Sequence, residues 1–164
     1  MNKQEITPVV KPHKIVSRLV EEKDIERVWK DAKEIYSIFG KKIGIYNTFL
    51  AIAHSQITKE DPLRFFVINP KMKIAEELPE AVIINPEIIR HTNNTVDSEE
   101  GCLSFPTNPP TIVQRWNKCE VRFKVMTPDK QISDWHEMNL SGQLAKVWQH
   151  ELDHLNGKAI YEFI

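Results

Sequence analysis

Between residues 23 and 39 the apolar positions fall at Ile25, Val28, Trp29, Ala32, Ile35, Tyr36 and Phe39. Steps of three and four predict an amphipathic helix whose stripe faces the core, with Gly40 as its C-cap. Further along, the period shortens. Residues 63–69 hold Phe65, Phe66, Val67 and Ile68 ahead of Pro70, and residues 81–85 repeat that grammar ahead of Pro86. Both segments read as short buried strands with a proline stop. The stretch 71–80 between them reads as a polar loop around Pro79. Residues 119–125 alternate, which points Cys119, Val121, Phe123 and Val125 inward. Thr127-Pro128-Asp129-Lys130 is a turn signal, and 132–138 is expected to return beside that strand with Trp135 as an anchor.

Two segments are less regular. Residues 43–56 carry Ile43, Ile45, Phe49, Leu50, Ile52 and Ala53 and end in His54, Ser55 and Gln56. They fit a buried strand or a turn that finishes at a polar site. Residues 90–100 are strongly polar, and Pro106, Pro109 and Pro110 stiffen the chain before 111–115 resumes an extended pattern. The last clear element is a helix over 141–155, with Ser141 at its N-cap and Gly157 breaking it. Leu144, Trp148, Leu152 and Leu155 form its core stripe, while Val147, His150, Glu151 and His154 form the adjoining one. Residues 159–164 fit a short terminal strand. The whole is α+β: mixed, mainly antiparallel sheets packed around a central helix, in a single domain over 1–164.

Composition narrows the function classes. Basic and acidic residues number 22 and 23, so no clustered positive charge argues for direct nucleic-acid binding. No apolar run reaches membrane-spanning length, and the first residues lack a secretory signal pattern. The expected location is cytoplasmic. Cys102 and Cys119 are the two cysteines, enough for one disulfide but not for a disulfide framework.

The chemistry concentrates in two places. Residues 150–154 read His-Glu-Leu-Asp-His, and residues 100–104 read Glu-Gly-Cys-Leu-Ser. On a helix, positions four apart are stacked about one turn away, so His150 and His154 can approach one ion together. Cys102 adds a soft third ligand, which leaves one tetrahedral position for water. Zinc suits this set, and Fe(II), Co(II) or Ni(II) are chemically compatible with it. Glu151 stands beside the ligands as a proton acceptor and donor. The backbone N–H of Leu103 and the side-chain amide of Gln56 are candidates to stabilise an oxyanion.

EGCLS at 100–104 and QHELDH at 149–154 together resemble the peptide deformylase family. The similarity extends over residues 50–164 through the strands after Cys102 and HLNGK at 154–158. The resemblance implies removal of the N-formyl group from the initiating methionine of nascent polypeptides, with release of formate. It implies Cys102, His150 and His154 as metal ligands, Glu151 as general base and acid, and Leu103 at the oxyanion. Gly101 is expected beside an extended peptide substrate, and Glu100 is expected to pair with Arg115. The family metal is Fe(II), with Zn(II), Ni(II) or Co(II) as replacements, and work on nascent chains implies transient proximity to the ribosome.

One family motif, glycine-apolar-glycine-apolar-alanine-alanine-any-glutamine, is altered here to Phe49-Leu50-Ala51-Ile52-Ala53-His54-Ser55-Gln56. Leu50 and Ala51 are expected at the substrate, as are Gly101 and Val147. His54 is a candidate extra imidazole there, against the alternative of a structural role. Lys146 sits next to Val147 where the family tends to be apolar, so it either points outward or favours a different substrate. Residues 107–111 also depart from the family pattern. The alternatives to deformylation are a divergent N-acyl amide metallohydrolase and a catalytically silent metal- or peptide-binding homologue.

Overall fold

The computed structural model describes residues 9–161. Its first helix, α1 (Ile25–Ile38), follows a 3₁₀ turn at Glu22–Asp24 and buries Val28, Ala32, Ile35 and Ile38, as the spacing predicts. Phe39, not Gly40, caps it: the Phe39 N–H donates to Ile35 O, and Gly40 is not in a left-handed conformation. Five strands then make one antiparallel sheet in the order β1 (Ala51–Ala53), β2 (Phe65–Ile68), β3 (Val82–His91), β6 (Lys118–Val125), β7 (His136–Ser141). A separate two-stranded ribbon pairs β4 (Thr95–Glu100) with β5 (Thr111–Trp116). Helix α2 (Gly142–Leu155) closes the fold.

The sheet is covered on both sides, which explains the unbroken apolar run in β2. Phe65 and Val67 pack with α1 residues Val28, Ala32 and Ile35. Phe66 and Ile68 pack the other way, against Leu144, Trp148 and Leu155 of α2. A strand buried on both faces has no solvent side on which to place polar residues. Trp148 meets Phe66 and Phe123 edge-on, with ring centroids 5.2 and 5.0 Å apart.

Pro86 does not stop its strand. β3 runs through it to His91, with a register shift between Ile84 and Glu87. The shift contains Asn85 at φ 51, a left-handed conformation that Asn tolerates better than most residues. The Asn85 side chain accepts from Val20 N at 2.8 Å and donates to Val20 O at 3.0 Å. A bulge thus absorbs the proline that an unbroken ladder would reject. The polar stretch 90–100 is correspondingly the end of β3, a turn and β4. Residues 73–77 of the polar loop form a 3₁₀ turn.

Other expectations shift in detail. Ser141 occupies the N-cap position of α2, but its side chain makes no capping hydrogen bond. β7 starts at His136, later than the periodicity suggests, and Trp135 before it is 39% exposed with Arg122 stacked 3.8 Å from its ring. Gly157 follows α2 at φ 74 with its Cα face against the Lys14 backbone. Residues 159–161 form no strand, and 162–164 lie outside the described residues. Cys102 and Cys119 are both buried and both free thiols.

Candidate metal centre and its cavity

α2 brings His150 and His154 one turn apart, and the turn after β4 brings Cys102 to meet them. The His150 and His154 Nε2 atoms are 3.2 Å apart, and Cys102 Sγ lies 3.3 Å from His154 Nε2. All three potential ligand atoms fall within 4.8 Å of one another. Tetrahedral ligands with metal–N of about 2.0–2.1 Å and metal–S of about 2.3 Å stand roughly 3.3–3.6 Å apart, so this set fits a divalent cation.

Charge reinforces the fit. Burial raises the Cys102 thiol pKa, but the facing His154 and His150 imidazoles more than offset it and hold the thiol well below its ordinary value. Burial lowers His150, but the Cys102 sulfur and Glu100 outweigh it and raise that imidazole to about 10. This corner therefore demands positive charge, which a proton on His150 or a cation among the three ligands can satisfy, the second releasing the proton.

The ligands are themselves held. His150 Nδ1 bonds Glu100 Oε1 at 2.7 Å, which aims Nε2 at Cys102 and His154. Glu100 also takes two bonds from Arg115, at 2.7 and 2.9 Å. Arg115 Nη1 reaches on to Asp153 Oδ2 at 2.7 Å, a second carboxylate that the sequence motifs did not single out. Burial opposes ionisation of Glu100, yet Arg115 and His150 pull its pKa down to about 2. On the other side of α2, Ser55 Oγ donates to the His154 carbonyl at 3.1 Å.

A cavity of about 450 Å³ opens above this corner. Glu151, Gln56, Leu103, Leu50, Ala51, Gly101 and Val147 all line it, together with Cys102 and His150. Glu151 is 3% exposed, and its Oε2 has no partner among the described residues. Burial raises the Glu151 pKa, although both ligand imidazoles pull the other way. A buried carboxylate oxygen without a partner, beside the ligands and the cavity, is placed to hold a water molecule. Gln56 Oε1 accepts from Ala53 N at 2.9 Å, and its amide nitrogen donates to Ser104 Oγ at 3.1 Å. The side chain is thus fixed in a 3₁₀ turn, His54–Gln56, at the cavity wall.

His54 does not reach the cavity. It is fully buried, with Nδ1 accepting from Leu63 N at 2.8 Å and Nε2 donating to Asp31 Oδ2 at 2.7 Å. Its ring stacks on Phe65 with centroids 4.5 Å apart. The expectation of an imidazole facing the substrate is corrected: His54 ties the Gln56 turn to α1 and to the approach of β2.

The sequence reading missed Tyr46, which lines the cavity and covers Gly101. A Cβ at position 101 would lie 2.5 Å from the Tyr46 ring, so a larger residue there would have to displace that ring. Tyr46 OH donates to Asn108 O at 2.7 Å, and Ile45 N donates to Pro106 O at 2.9 Å. These bonds fasten 43–46 to the proline-bearing loop. No periodic or charge signal in the sequence marks this loop-to-loop contact.

Residues 11–164 match the polypeptide deformylase family. The chain belongs to that family. A peptide deformylase of Salinibacter ruber is 31% identical over 124 residues, which cover 70% of this chain and 59% of that protein. One from Brachyspira hyodysenteriae is 40% identical over 84 residues, covering 50% of this chain and 42% of the relative. The chain thus spans about half the length of these curated relatives. The crystal structure of peptide deformylase from Thermotoga maritima superposes with a TM-score of 0.67 at 28% identity, covering 90% of this chain and 86% of that one. Deformylases are metal-dependent, in keeping with the donor set here.

Proposed function

We propose that this chain hydrolyses an N-formyl amide at a peptide N-terminus, releasing formate and a free amine, with an initiating methionine as the family substrate. The observation that carries this reading is the partnerless Oε2 of Glu151, buried beside three side chains spaced to hold one cation. A divalent cation bound there would supply Lewis acidity, acidifying water and polarising a carbonyl. Glu151 takes the proton of the attacking water on its free carboxylate oxygen and passes it to the departing amine. Leu103 N–H and the Gln56 amide are the donors proposed for the developing oxyanion. The cavity, lined by Gly101 among others, admits the end of a peptide.

Fe(II) is the proposed native ion, with Zn(II), Ni(II) or Co(II) able to take the same thiolate and imidazole ligands. Among the described residues no helix is long and apolar enough to cross a membrane. Work on initiating methionines would place the protein in the cytoplasm, close to ribosomes for part of each cycle.

The test is formate release from formyl-Met-Ala-Ser by anaerobically purified, Fe(II)-loaded protein and by Glu151→Gln. The expected result is turnover by the parent and a loss of about 10²–10⁴-fold in the variant, with metal content retained. Equal turnover by the two proteins would remove Glu151 from the mechanism. No turnover by metal-filled parent would favour another N-acyl substrate or a silent homologue.

A further inference from the structure

The wall of the cavity nearest the start of α2 carries two polar side chains beside an apolar one. Gln143, Lys146 and Val147 lie three and four residues apart, so one helical face turns all of them toward the space that His150 and Glu151 floor. Lys146 stands one helical turn before His150, about 6 Å along the axis. Its Nζ donates to the main-chain carbonyl of Asp97 at 3.1 Å, which uses one of its three N–H groups. Among the described residues it is the only Lys or Arg on this cavity, and it makes no ion pair.

The neighbouring acids do not neutralise it. Glu100 is committed to Arg115 and His150, and Asp97 turns its carboxylate to the Gln114 amide at 2.5 Å. Glu151 sits deeper, at the ligands. Glu99 also lines the cavity but is exposed to water. Ser98 gives its hydroxyl to Glu100. Two ammonium donors and the Gln143 amide therefore stand ready beside the apolar stem provided by Leu50, Leu103 and Val147.

On these grounds we infer that the cavity selects N-formyl peptides that carry a carboxylate on one of their first two residues, which Lys146 receives. The inference rests on the formyl-amide reading above and sharpens it. A purely apolar side chain at this wall would cover the ammonium without replacing the water it loses. A carboxylate replaces that water with a charge-assisted bond, a difference of about tenfold to a hundredfold in kcat/KM. The apolar stem accommodates either methionine followed by an acidic residue or an acidic first residue.

The experiment compares kcat/KM for formyl-Met-Ala-Ser, formyl-Met-Glu-Ser and formyl-Glu-Ala-Ser on the metal-loaded parent, on Lys146→Met and on Lys146→Glu. The expected result is that one acidic peptide leads the neutral one by about tenfold or more in the parent. That lead should vanish in Lys146→Met and invert in Lys146→Glu. The winning acidic peptide identifies which residue carries the carboxylate. Equal rates on all three peptides, or a lead that survives Lys146→Met, would overturn the inference and leave formyl-amide hydrolysis standing. Failure of metal-filled parent on every peptide would sink both.

Discussion

Two histidines in this molecule, His54 fully buried and His150 partly so, each lie 2.7 Å from a carboxylate, yet they do opposite things. At His150 the partner is Glu100, and the far nitrogen faces Cys102 and His154 beside an open cavity. At His54 the partner is Asp31, and the far nitrogen faces the backbone N–H of Leu63. The first imidazole is raised by anions on both sides despite burial; the second is lowered because burial outweighs its one carboxylate. A histidine–carboxylate pair is thus not by itself a functional signature. What faces the second nitrogen decides whether the ring is a ligand or a strut.

The strongest way to break the comparison is to remove what orients His150. Arg115→Met leaves Glu100 and Asp153 without their shared cation, and Arg115 and Glu100 are buried to below 10% side-chain exposure. The expected cost is about 3–5 kcal/mol in unfolding free energy. Metal affinity should fall by about 10–100-fold, read by chelator competition. The same ion pair gives a pH signature. Glu100 titrates near 2 instead of 4.5. Its contribution is complete above pH 4.5 and fades as pH falls toward 2, because the unfolded chain takes the proton first. Arg115→Met should therefore flatten the dependence of Tm on pH across that window.

His54→Ala is the matching cut at the strut. It strands Leu63 N–H and empties a space against Phe65, for an expected loss of about 2–3 kcal/mol by denaturant titration. Metal stoichiometry should not change, and a loss of bound metal in the folded variant would overturn the division between the two rings. The mildest change is Asp31→Asn, which keeps an acceptor for His54 Nε2–H. It should cost less than about 1 kcal/mol and leave metal affinity untouched. The equivalent amide at Glu100 would lack the charge that Arg115 needs.

Much of this was legible in the chain because periodicity is a local property. The spacing of Val28, Ala32 and Ile35, the alternation from Cys119 to Val125, and the stripe from Leu144 to Leu155 each reappear as buried faces. The approach of His150 and His154 to one point was legible for a similar reason: both sit on one helix. Asn85 escaped because a bulge depends on what the bulged side chain can hold, and its partner Val20 is far away in sequence. The partners of His54, for which a structural role was one of the two readings, escaped for the same reason, since Asp31 and Leu63 belong to other parts of the chain. Tyr46 over Gly101 is a contact between two loops, where neither period nor composition constrains the partner.

The supports of the metal corner come from widely separated parts of the chain. Val10 N bonds the Gln56 carbonyl at 2.9 Å, and Ser17 N bonds the Leu155 carbonyl at 2.8 Å, just past His154. Contacts of such long sequence separation form late, because closing large loops costs entropy before any contact compensates it. Helix α2 can acquire its turns early, but His154 meets Cys102, 52 residues away in sequence, only when helix and loop dock. Cation capture during refolding is therefore a clock for the final docking step, slower than the appearance of helical signal.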